Sequence, residues 1–403
     1  MGKDGRMSEA ALPDTQTHSV PAVAERDLLY RKRKKKGRFS VAVPPAPPLE
    51  APIADTHAHL GALDAPLALA RAAFWGMDFI CCITEPDGDA PRVYRQLDEW
   101  RRQAGNLLDD LLAASDDVLA QRSDDDARQM HALLDKRRAA GGIAIPHVRL
   151  AIGCHPHTSY RWNDELQDLM YRALADPRTC AVGEVGLDYY YDLSPRETQI
   201  RVFRAQIRMA HETGVPLFLH IRDAHDDALA VLREEGFPAA GTILHCCSLS
   251  PDQLAPWVEA GCYIAYGGIT TFAKSDAARS GVATVPPERL LLETDSPYMA
   301  PIPLRGNECY PDFAQWTVRR LAEVCGCRPG PARRSFLEQL HANARGLQDR
   351  PATAWQASHA AQAGLLVPVY AECEEGDRGA CADEAIPDAN EGWDAAAFPG
   401  ARV

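Results

Sequence analysis

The sequence lacks any long hydrophobic run. No stretch of its 403 residues approaches the roughly 18 uninterrupted apolar residues that a bilayer-spanning helix needs. The first thirty residues also lack the apolar core of a secretory signal peptide, and the basic cluster comes after them, at positions 31–38. We therefore expect a cytoplasmic protein with no membrane partner.

Cysteine pairs of the Cys-x-x-Cys type are also missing, although the chain holds 12 cysteines. This absence argues against zinc fingers and thioredoxin-like redox sites, which use that spacing. Seven cysteines lie in or beside apolar, strand-like segments, where reduced thiols are usually buried. They are Cys81, Cys82, Cys154, Cys180, Cys246, Cys247 and Cys262.

An excess of positive charge is absent too, since the formal net charge is −13. Residues 1–50 carry a net charge of +4 and residues 351–403 a net charge of −7, which leaves −10 on the residues between them. A body this acidic is not that of a protein that coats DNA through non-specific phosphate contacts. It remains compatible with an enzyme that grips phosphates through metal ions at one place.

The two ends of the chain differ in composition from the middle. Residues 1–50 contain the basic run 31–38 and the proline-rich stretch 44–48, which together indicate a disordered, extended arm. The basic run can contact nucleic acid, and a solvated tail without a partner is the alternative. Residues 349–403 form an acidic, mostly disordered tail by composition. The folded domain is therefore expected at 51–348.

The middle of the chain predicts an α/β fold, because short apolar runs alternate with amphipathic helical patterns. Continuous apolar strands between helices are typical of a parallel sheet, and eight such units fit a (β/α)₈ TIM barrel. A doubly wound open sheet is the alternative, weakened by the absence of a strand–GxGxxG–helix unit. The strand-like runs are 52–57, 77–84, 148–154, 179–187, 215–221, 242–246, 262–266 and 290–294.

The gap between the second and third strands is too long for an ordinary βα connection. Helical patterns at 94–114 and 126–139 predict an inserted helical hairpin within about 88–146. If it lies on the side of the barrel where the carboxyl ends of the strands meet, here called the mouth, it narrows the substrate range.

Residue types that bind metals stand at the carboxyl ends of the strands. His57 and His59 have the i, i+2 spacing that places two imidazoles on one face of an extended segment. Glu184 interrupts an apolar strand, where a carboxylate is costly to bury unless it is paired or metal-bound. His220, His245 and Asp295 end three further strands. The strands of a barrel all end at one mouth, so these residues are expected to meet there and to form one metal-binding centre.

Several of these segments resemble the motifs of the TatD family of metal-dependent hydrolases, which are amidohydrolase-like TIM barrels that include deoxyribonucleases. The resemblance runs from residue 53 to about 346. Its motifs are Asp55-Thr56-His57-Ala58-His59, Gly153-Cys154-His155-Pro156-His157, Gly183-Glu184-Val185-Gly186-Leu187-Asp188-Tyr189, His220-Ile221-Arg222-Asp223-Ala224, His245-Cys246 and Glu293-Thr294-Asp295-Ser296-Pro297-Tyr298.

The resemblance implies two divalent metal ions per subunit, with Mg²⁺, Mn²⁺ and Zn²⁺ all open as identities. His57, His59 and Asp295 hold one ion, and His220 and His245 hold the other, with Glu184 bridging them. Asp295 is the candidate to orient or deprotonate a water, so the catalytic residues implied are Asp295, Glu184 and His155. Glu293 is either a partner of the ligands or part of a strand-end salt bridge.

Four residues are candidate substrate contacts: His155, His157, Arg222 and Arg305. His155 resembles a family position near the substrate, with turn stabilisation as the alternative. Arg222 either pairs with a phosphate oxygen or holds Asp223. Near Arg305 the chain departs from the family, since Cys309 follows Glu308 where members commonly have proline. Aromatic residues at 162 and 189–191 can stack on bases, although packing is the more frequent role of such residues.

The function implied is a deoxyribonuclease that hydrolyses phosphodiester bonds at DNA ends, with DNA as the partner. One alternative is the hydrolysis of another bond on the same metal barrel, such as an amide, a lactone or an aminoacyl ester. The other is a barrel that binds without catalysis and uses the basic run 31–38 as its contact. Nothing in the sequence indicates an obligate protein partner.

Overall fold

Eight parallel strands form a barrel in the computed structural model, which describes residues 30–33, 39–43, 49–120, 125–139 and 142–363. Each strand pairs with the strand that follows it in the chain, as predicted for a TIM barrel. The strands are β1 (Ile53–Ala58), β2 (Met77–Thr84), β3 (His147–Ile152), β4 (Thr179–Asp188), β5 (Leu217–Arg222), β6 (Thr242–Leu244), β7 (Tyr263–Tyr266) and β8 (Leu290–Leu292).

The residues after β8 join it to β1 and so bring the two ends of the sheet together. The Asp295 N–H donates to the carbonyl oxygen of His57 (2.9 Å), and the His59 N–H donates to that of Ser296 (2.7 Å). Asp55 is fully buried at the same seam. Its carboxylate accepts the Thr294 N–H at 3.0 Å, so β1 and the end of β8 are held in fixed register.

Helices follow the strands on the outside of the barrel. The helices are α1 (Ala65–Phe74), α2 (Ala90–Ala120), α3 (Asp125–Ala139), α4 (Asp164–Ala175), α5 (Arg196–Thr213), α6 (His225–Glu235), α7 (Pro251–Glu259), α8 (Asp276–Val282), α9 (Ala314–Val324), α10 (Pro331–Gln348) and α11 (Ala354–Ala363). Their ends carry the expected signals: Asn163 caps α4 by accepting the Leu166 N–H at 2.8 Å, and Gly214 ends α5 in the left-handed region with φ 70°. Among the described helices, none is both long and apolar enough to span a bilayer.

The strands divide the core into two layers because alternate side chains point to opposite faces. Along β2, Phe79, Cys81 and Ile83 fill the barrel interior, and Ile80 and Cys82 pack against the helices. The seven cysteines predicted to be buried thiols are free, and all but the half-buried Cys246 are buried.

Helix α10 lies across the amino-terminal end of the barrel. His341 Nε2 is 2.7 Å from Asp78 Oδ1 at the start of β2. The Asn343 side chain donates to the carbonyl oxygen of Leu290 at the start of β8, at 2.9 Å. Among the described residues, α10 therefore covers the end of the barrel opposite the mouth.

The inserted hairpin is present, and it points away from the mouth. Helix α2 starts at the mouth side after β2, and its Tyr94 already contacts residues at the amino-terminal end of β4. The Tyr94 hydroxyl lies 2.8 Å from Thr179 Oγ1, and Arg178 donates to the Tyr94 carbonyl at 3.0 Å. From α3 the chain returns to the start of β3. The hairpin is therefore not on the mouth side of the barrel, where it was expected to narrow the range of substrates.

The folded unit extends beyond the predicted boundary at residue 348. Gln356 of α11 is buried, and its side-chain amide donates to the carbonyl oxygens of Leu174 (2.9 Å) and Thr179 (2.8 Å). The acidic tail predicted for 349–403 is therefore structured as far as Ala363, because one buried amide anchors a helix whose composition is otherwise weakly apolar. Residues 364–403 lie outside the described residues.

The predicted arm at 1–50 contains a short antiparallel pair of strands, Tyr30–Arg33 and Phe39–Val43. The second of these, Phe-Ser-Val-Ala-Val, is rich in residues that favour strands, which explains the difference from a fully extended arm. Residues 31–33 of the basic run lie in the first strand, and the remainder of that run lies outside the described residues.

Candidate metal centre

A carboxylate lies at the centre of the mouth and faces imidazoles on two sides. Glu184 Oε2 is 3.5 Å from His57 Nε2 and 3.9 Å from His59 Nε2. Its other oxygen, Oε1, is 2.7 Å from both His220 Nδ1 and His245 Nε2. The structure thus brings together residues from β1, β4, β5 and the end of β6 around one side chain.

Asp295 completes the first of these two groups. Its Oδ1 lies 3.5 Å from His59 Nε2 and 3.7 Å from His57 Nε2. The predicted ligands therefore form two clusters with the composition expected of metal sites, His57–His59–Asp295 and Glu184–His220–His245. One carboxylate and two imidazoles belong to each.

The burial of His57 tests whether these residues fit divalent cations. This imidazole is fully buried, and neither ring nitrogen has a hydrogen-bond partner. An unsatisfied buried polar atom is costly, and a cation at Nε2 removes that cost. Burial lowers the pKa of His57 to about 4, so this ring is neutral at pH 7. Against the effect of burial, the hydrogen bonds to Asp295 and Asp188 raise the pKa values of His59 and His220 to about 9, so a cation must displace a proton from each of those rings. The donor set fits a divalent cation.

Glu184 is ionised despite its burial. Burial alone raises the pKa of a carboxyl group, but the neighbouring imidazoles of His245, His57 and His220 hold the pKa of Glu184 well below its usual value. Gly183 lets the strand bring this side chain inward, because a Cβ atom at that position would lie 2.2 Å from the Phe218 Cβ. The local sequence Gly-Glu thus places a full negative charge at the centre of the mouth.

Asp188 contacts two of the site's imidazoles and was not among the site residues predicted from the sequence. It is fully buried, and its Oδ2 lies 2.8 Å from His157 Nε2 and 3.1 Å from His220 Nε2. Because the Nε2 atom of His220 contacts Asp188, the Nδ1 atom of the same ring faces Glu184. The signal was available, since residues 184, 186 and 188 share one face of β4.

His155 lies beside the cluster as predicted. Its Nδ1 accepts the His157 N–H at 3.2 Å, so the proton of the neutral ring is on Nε2, which is 3.8 Å from Glu184 Oε1. Burial and the nearby His220 keep the pKa of His155 well below its usual value. The same ring therefore stabilises the turn and presents an N–H donor to the site.

Two acidic residues border the cluster. Glu293 accepts the Cys246 N–H at 2.6 Å, and its second oxygen lies 3.8 Å from His245 Nδ1, which is beyond hydrogen-bond distance. Burial raises the pKa of Glu293 to about 8. Glu85, directly after β2, was not among the predicted site residues. Burial and the nearby Asp87 raise its pKa to about 7.

The two candidate arginines lie on the rim of the mouth. The Arg222 guanidinium carbon is 3.9 Å from the ring centroid of Tyr190, and that of Arg305 is 4.2 Å from the ring centroid of Phe272. The departure at Cys309 also has a structural reason. The Cys309 N–H donates to the carbonyl oxygen of Pro297 at 2.9 Å, and proline has no N–H to make this bond.

Comparisons with known proteins agree with this geometry. The family described as TatD related DNase matches residues 54–345. The metal-dependent hydrolase YabD of Bacillus subtilis (strain 168) is 36% identical over 177 residues, which cover 44% of this chain and 69% of YabD. The 3'-5' ssDNA/RNA exonuclease TatD of Erwinia billingiae (strain Eb661) is 36% identical over 207 residues, 50% of this chain and 77% of that protein.

Solved structures support the fold. The TatD homologue YJJV of Escherichia coli K12 has a TM-score of 0.54 at 24% identity and covers 74% of this chain and 98% of its own. A TatD family hydrolase of Entamoeba histolytica has a TM-score of 0.53 at 16% identity, over 74% and 99% of the two chains. At these identities the likeness concerns the barrel itself.

Proposed function

Because the chain belongs to the family of TatD-related DNases and is a metal-dependent hydrolase, we propose that it hydrolyses phosphodiester bonds at the ends of single-stranded DNA or RNA, with two divalent cations. The family membership confirms the resemblance seen in the sequence. The similarity to the Erwinia relative, a 3'-5' ssDNA/RNA exonuclease, supports both the substrate class and attack from the 3′ end.

The main support for the proposal is that the two oxygens of the Glu184 carboxylate face two different sets of candidate ligands. Its Oε2 faces His57 and His59, and its Oε1 faces His220 and His245 at 2.7 Å. A bridging carboxylate between two imidazole pairs is the arrangement that two cations require. His57, His59 and Asp295 would hold the first cation, and His220 and His245 the second.

Divalent cations held by these residues would neutralise phosphate charge and lower the pKa of a water. Asp295 is the residue of this chain that would orient an attacking water and accept its proton. Burial alone raises the pKa of Asp295, but the hydrogen bond from His59 and the charges of the neighbouring imidazoles hold it below its usual value, so the carboxylate is ionised. The Nε2–H of His155 donates to a phosphate oxygen or to the leaving oxygen.

The test is an assay on single-stranded oligonucleotides labelled at the 3′ or the 5′ end, joined to elemental analysis of the same protein. We expect two metal ions per chain, loss of hydrolysis in a chelator, and recovery with Mg²⁺, Mn²⁺ or Zn²⁺. Early release of the 3′ label establishes the direction. Removal of residues 1–48, which keeps the buried Leu49 and the ion pair of Glu50 with Arg333, should leave turnover intact, since the proposed chemistry belongs to the barrel.

A panel of amide, lactone and aminoacyl ester substrates completes the test. If metal-loaded protein leaves every oligonucleotide intact and hydrolyses one of these compounds, the bond proposed here is wrong and the metal barrel serves another reaction. Hydrolysis that persists after complete metal removal contradicts the role given to Glu184 and its neighbours.

A further inference from the structure

The exposed large hydrophobic side chains of the described residues are confined to one region. All six lie in the loops that follow β3, β4 and the end of β8, at the mouth. They are Tyr160, Tyr190, Tyr191, Leu193, Tyr298 and Ile302. Apolar surface gathered at one place marks a binding site more often than scattered surface does.

Two of these tyrosines border the candidate metal centre on different sides. The Tyr298 ring packs edge to face on His59, with 5.9 Å between the ring centroids. The Tyr191 ring packs in the same manner on His157, at 5.4 Å. Tyr190 meets Tyr191 at 5.0 Å and extends this second side outward. Aromatic surface thus flanks the place where the scissile phosphate would bind.

Positive charge accompanies the tyrosines on one of the two sides. The Arg222 guanidinium carbon lies 3.9 Å from the ring centroid of Tyr190 and 4.7 Å from that of Tyr191. Nucleic acid presents flat aromatic bases next to negative phosphates, and aromatic rings beside a guanidinium match both. Lactones and simple amides have no such alternation of base and phosphate.

We propose that Tyr298 on one side, and Tyr190 with Tyr191 on the other, stack on the two bases that flank the scissile phosphodiester. This inference rests on the proposed function and specifies its substrate as an unpaired end. In a duplex end only the outer face of the terminal pair is open, and the next base has a neighbouring pair on both faces, so a paired end must fray before tyrosines can stack on both bases. Selection of single strands then follows from stacking, without base-specific hydrogen bonds.

The experiment compares single-stranded octamers that carry normal bases with octamers in which the last two residues are abasic. Tyr298→Leu and Tyr191→Leu should each raise KM for the normal octamer by about 10-fold, since stacking on one base typically contributes that much. The abasic octamer should show a raised KM with the wild-type protein and no further rise with either variant. Tyr298→Phe and Tyr191→Phe keep the ring and should restore the normal KM.

The chain offers a matched control at the opposite end of the barrel. Tyr263 begins β7, and the Arg289 guanidinium carbon lies 4.6 Å from its ring centroid, so it has the same tyrosine–arginine stack away from the mouth. Tyr263→Leu should leave KM for both octamers unchanged.

Each outcome separates this inference from the function on which it rests. A wild-type protein that degrades neither octamer refutes the proposed function. A protein that degrades both octamers with the same KM, or whose leucine variants lose activity equally on both, refutes the stacking role alone.

Discussion

Glu184 is the residue on which the chemistry depends most, because its two oxygens serve different partners. It stands in a strand whose ten residues are all buried. A carboxylate there is stable only if imidazoles or cations compensate its charge. The same physical argument identifies it in the sequence, where it is the acidic residue that interrupts Ala-Val-Gly-Glu-Val-Gly-Leu.

Replacement of a predicted ligand should abolish hydrolysis and spare the fold. We expect His57→Ala or Asp295→Asn to reduce kcat by more than about 100-fold, the upper range for residues that merely support a ligand. Mouth residues of a barrel contribute little to packing, so far-UV circular dichroism should stay unchanged. A near-normal rate in either variant would remove His57 or Asp295 from the mechanism.

Asp188 should act through the imidazoles that it holds. The Oδ2 atom of Asp188 faces His157 and His220, and its Oδ1 atom accepts the backbone N–H groups of residues 190 and 191. Asp188→Asn keeps only one oxygen, so either the imidazoles or the backbone donors lose their acceptor. We expect the affinity for the metal to fall about 10- to 100-fold, as for other residues that orient ligands. Competition with a chromogenic chelator measures this.

Asp192 provides the matched control for Asp188. It lies in the loop that follows Asp188, and its exposed side chain pairs with Arg196 at 3.3 Å. Asp192→Asn should leave the metal affinity unchanged. An equal loss in both variants would show that the loop, and not the contact with the imidazoles, sets the affinity.

The candidate metal ligands could be predicted from the sequence, whereas the contacts of Asp188 and Glu85 with the site could not. His57, His220, His245 and Asp295 end strands, so the topology of the barrel suffices to gather them. Spacing places Asp188 on the same face of β4 as Glu184, but which nitrogen of His220 it meets depends on side-chain rotation, which spacing does not determine. Glu85 needs the loop after β2 to turn inward, which is a tertiary property.

At the scale of elements, helix α11 is the clearest difference between sequence and structure. Its ten residues are mostly alanine and polar, so hydrophobic periodicity does not set it apart from an acidic tail. The Thr353-x-x-Gln356 capping box at its start was the one signal that the sequence offered. The Gln356 amide then attaches the helix to backbone carbonyls of α4 and β4, and Trp355 packs beside Tyr171. Such a long-range bond leaves no trace in local composition.

Removal of that amide should therefore destabilise the domain. Gln356→Ala leaves the carbonyl oxygens of Leu174 and Thr179 buried and without this donor, which should lower the free energy of unfolding by about 2–3 kcal/mol. Gln362→Ala, on the exposed side of the same helix, should change it by less than about 0.5 kcal/mol. Urea denaturation compares the two, and equal midpoints would exclude α11 from the folded unit.

At the scale of the whole molecule, the barrel was predictable because eight apolar runs alternate with helical patterns. Each predicted run overlaps the strand that forms, with bounds that differ by a few residues. The direction of the hairpin was not predictable, since it depends on where α2 packs. The contact of Tyr94 with Thr179 at 2.8 Å shows that the helix leads away from the mouth.

Metal binding should stabilise the entire fold, because the candidate ligands come from β1, β4, β5 and the ends of β6 and β8. Unfolding separates these strands and destroys the sites, so metal binds the folded state in preference. Metal at about 1,000 times its dissociation constant should raise the unfolding free energy by about 4 kcal/mol per site. It also satisfies the buried nitrogen of His57.

Thermal unfolding during a metal titration measures this effect independently of any substrate. We expect the midpoint to rise with Mn²⁺ or Zn²⁺, to return to its starting value in a chelator, and to rise less in His57→Ala, which retains only the ligands of the second cluster intact. The midpoint could also stay unchanged in protein that elemental analysis shows to hold two ions. The ions would then bind elsewhere, because ions held by residues of five strands must raise the free energy needed to separate those strands.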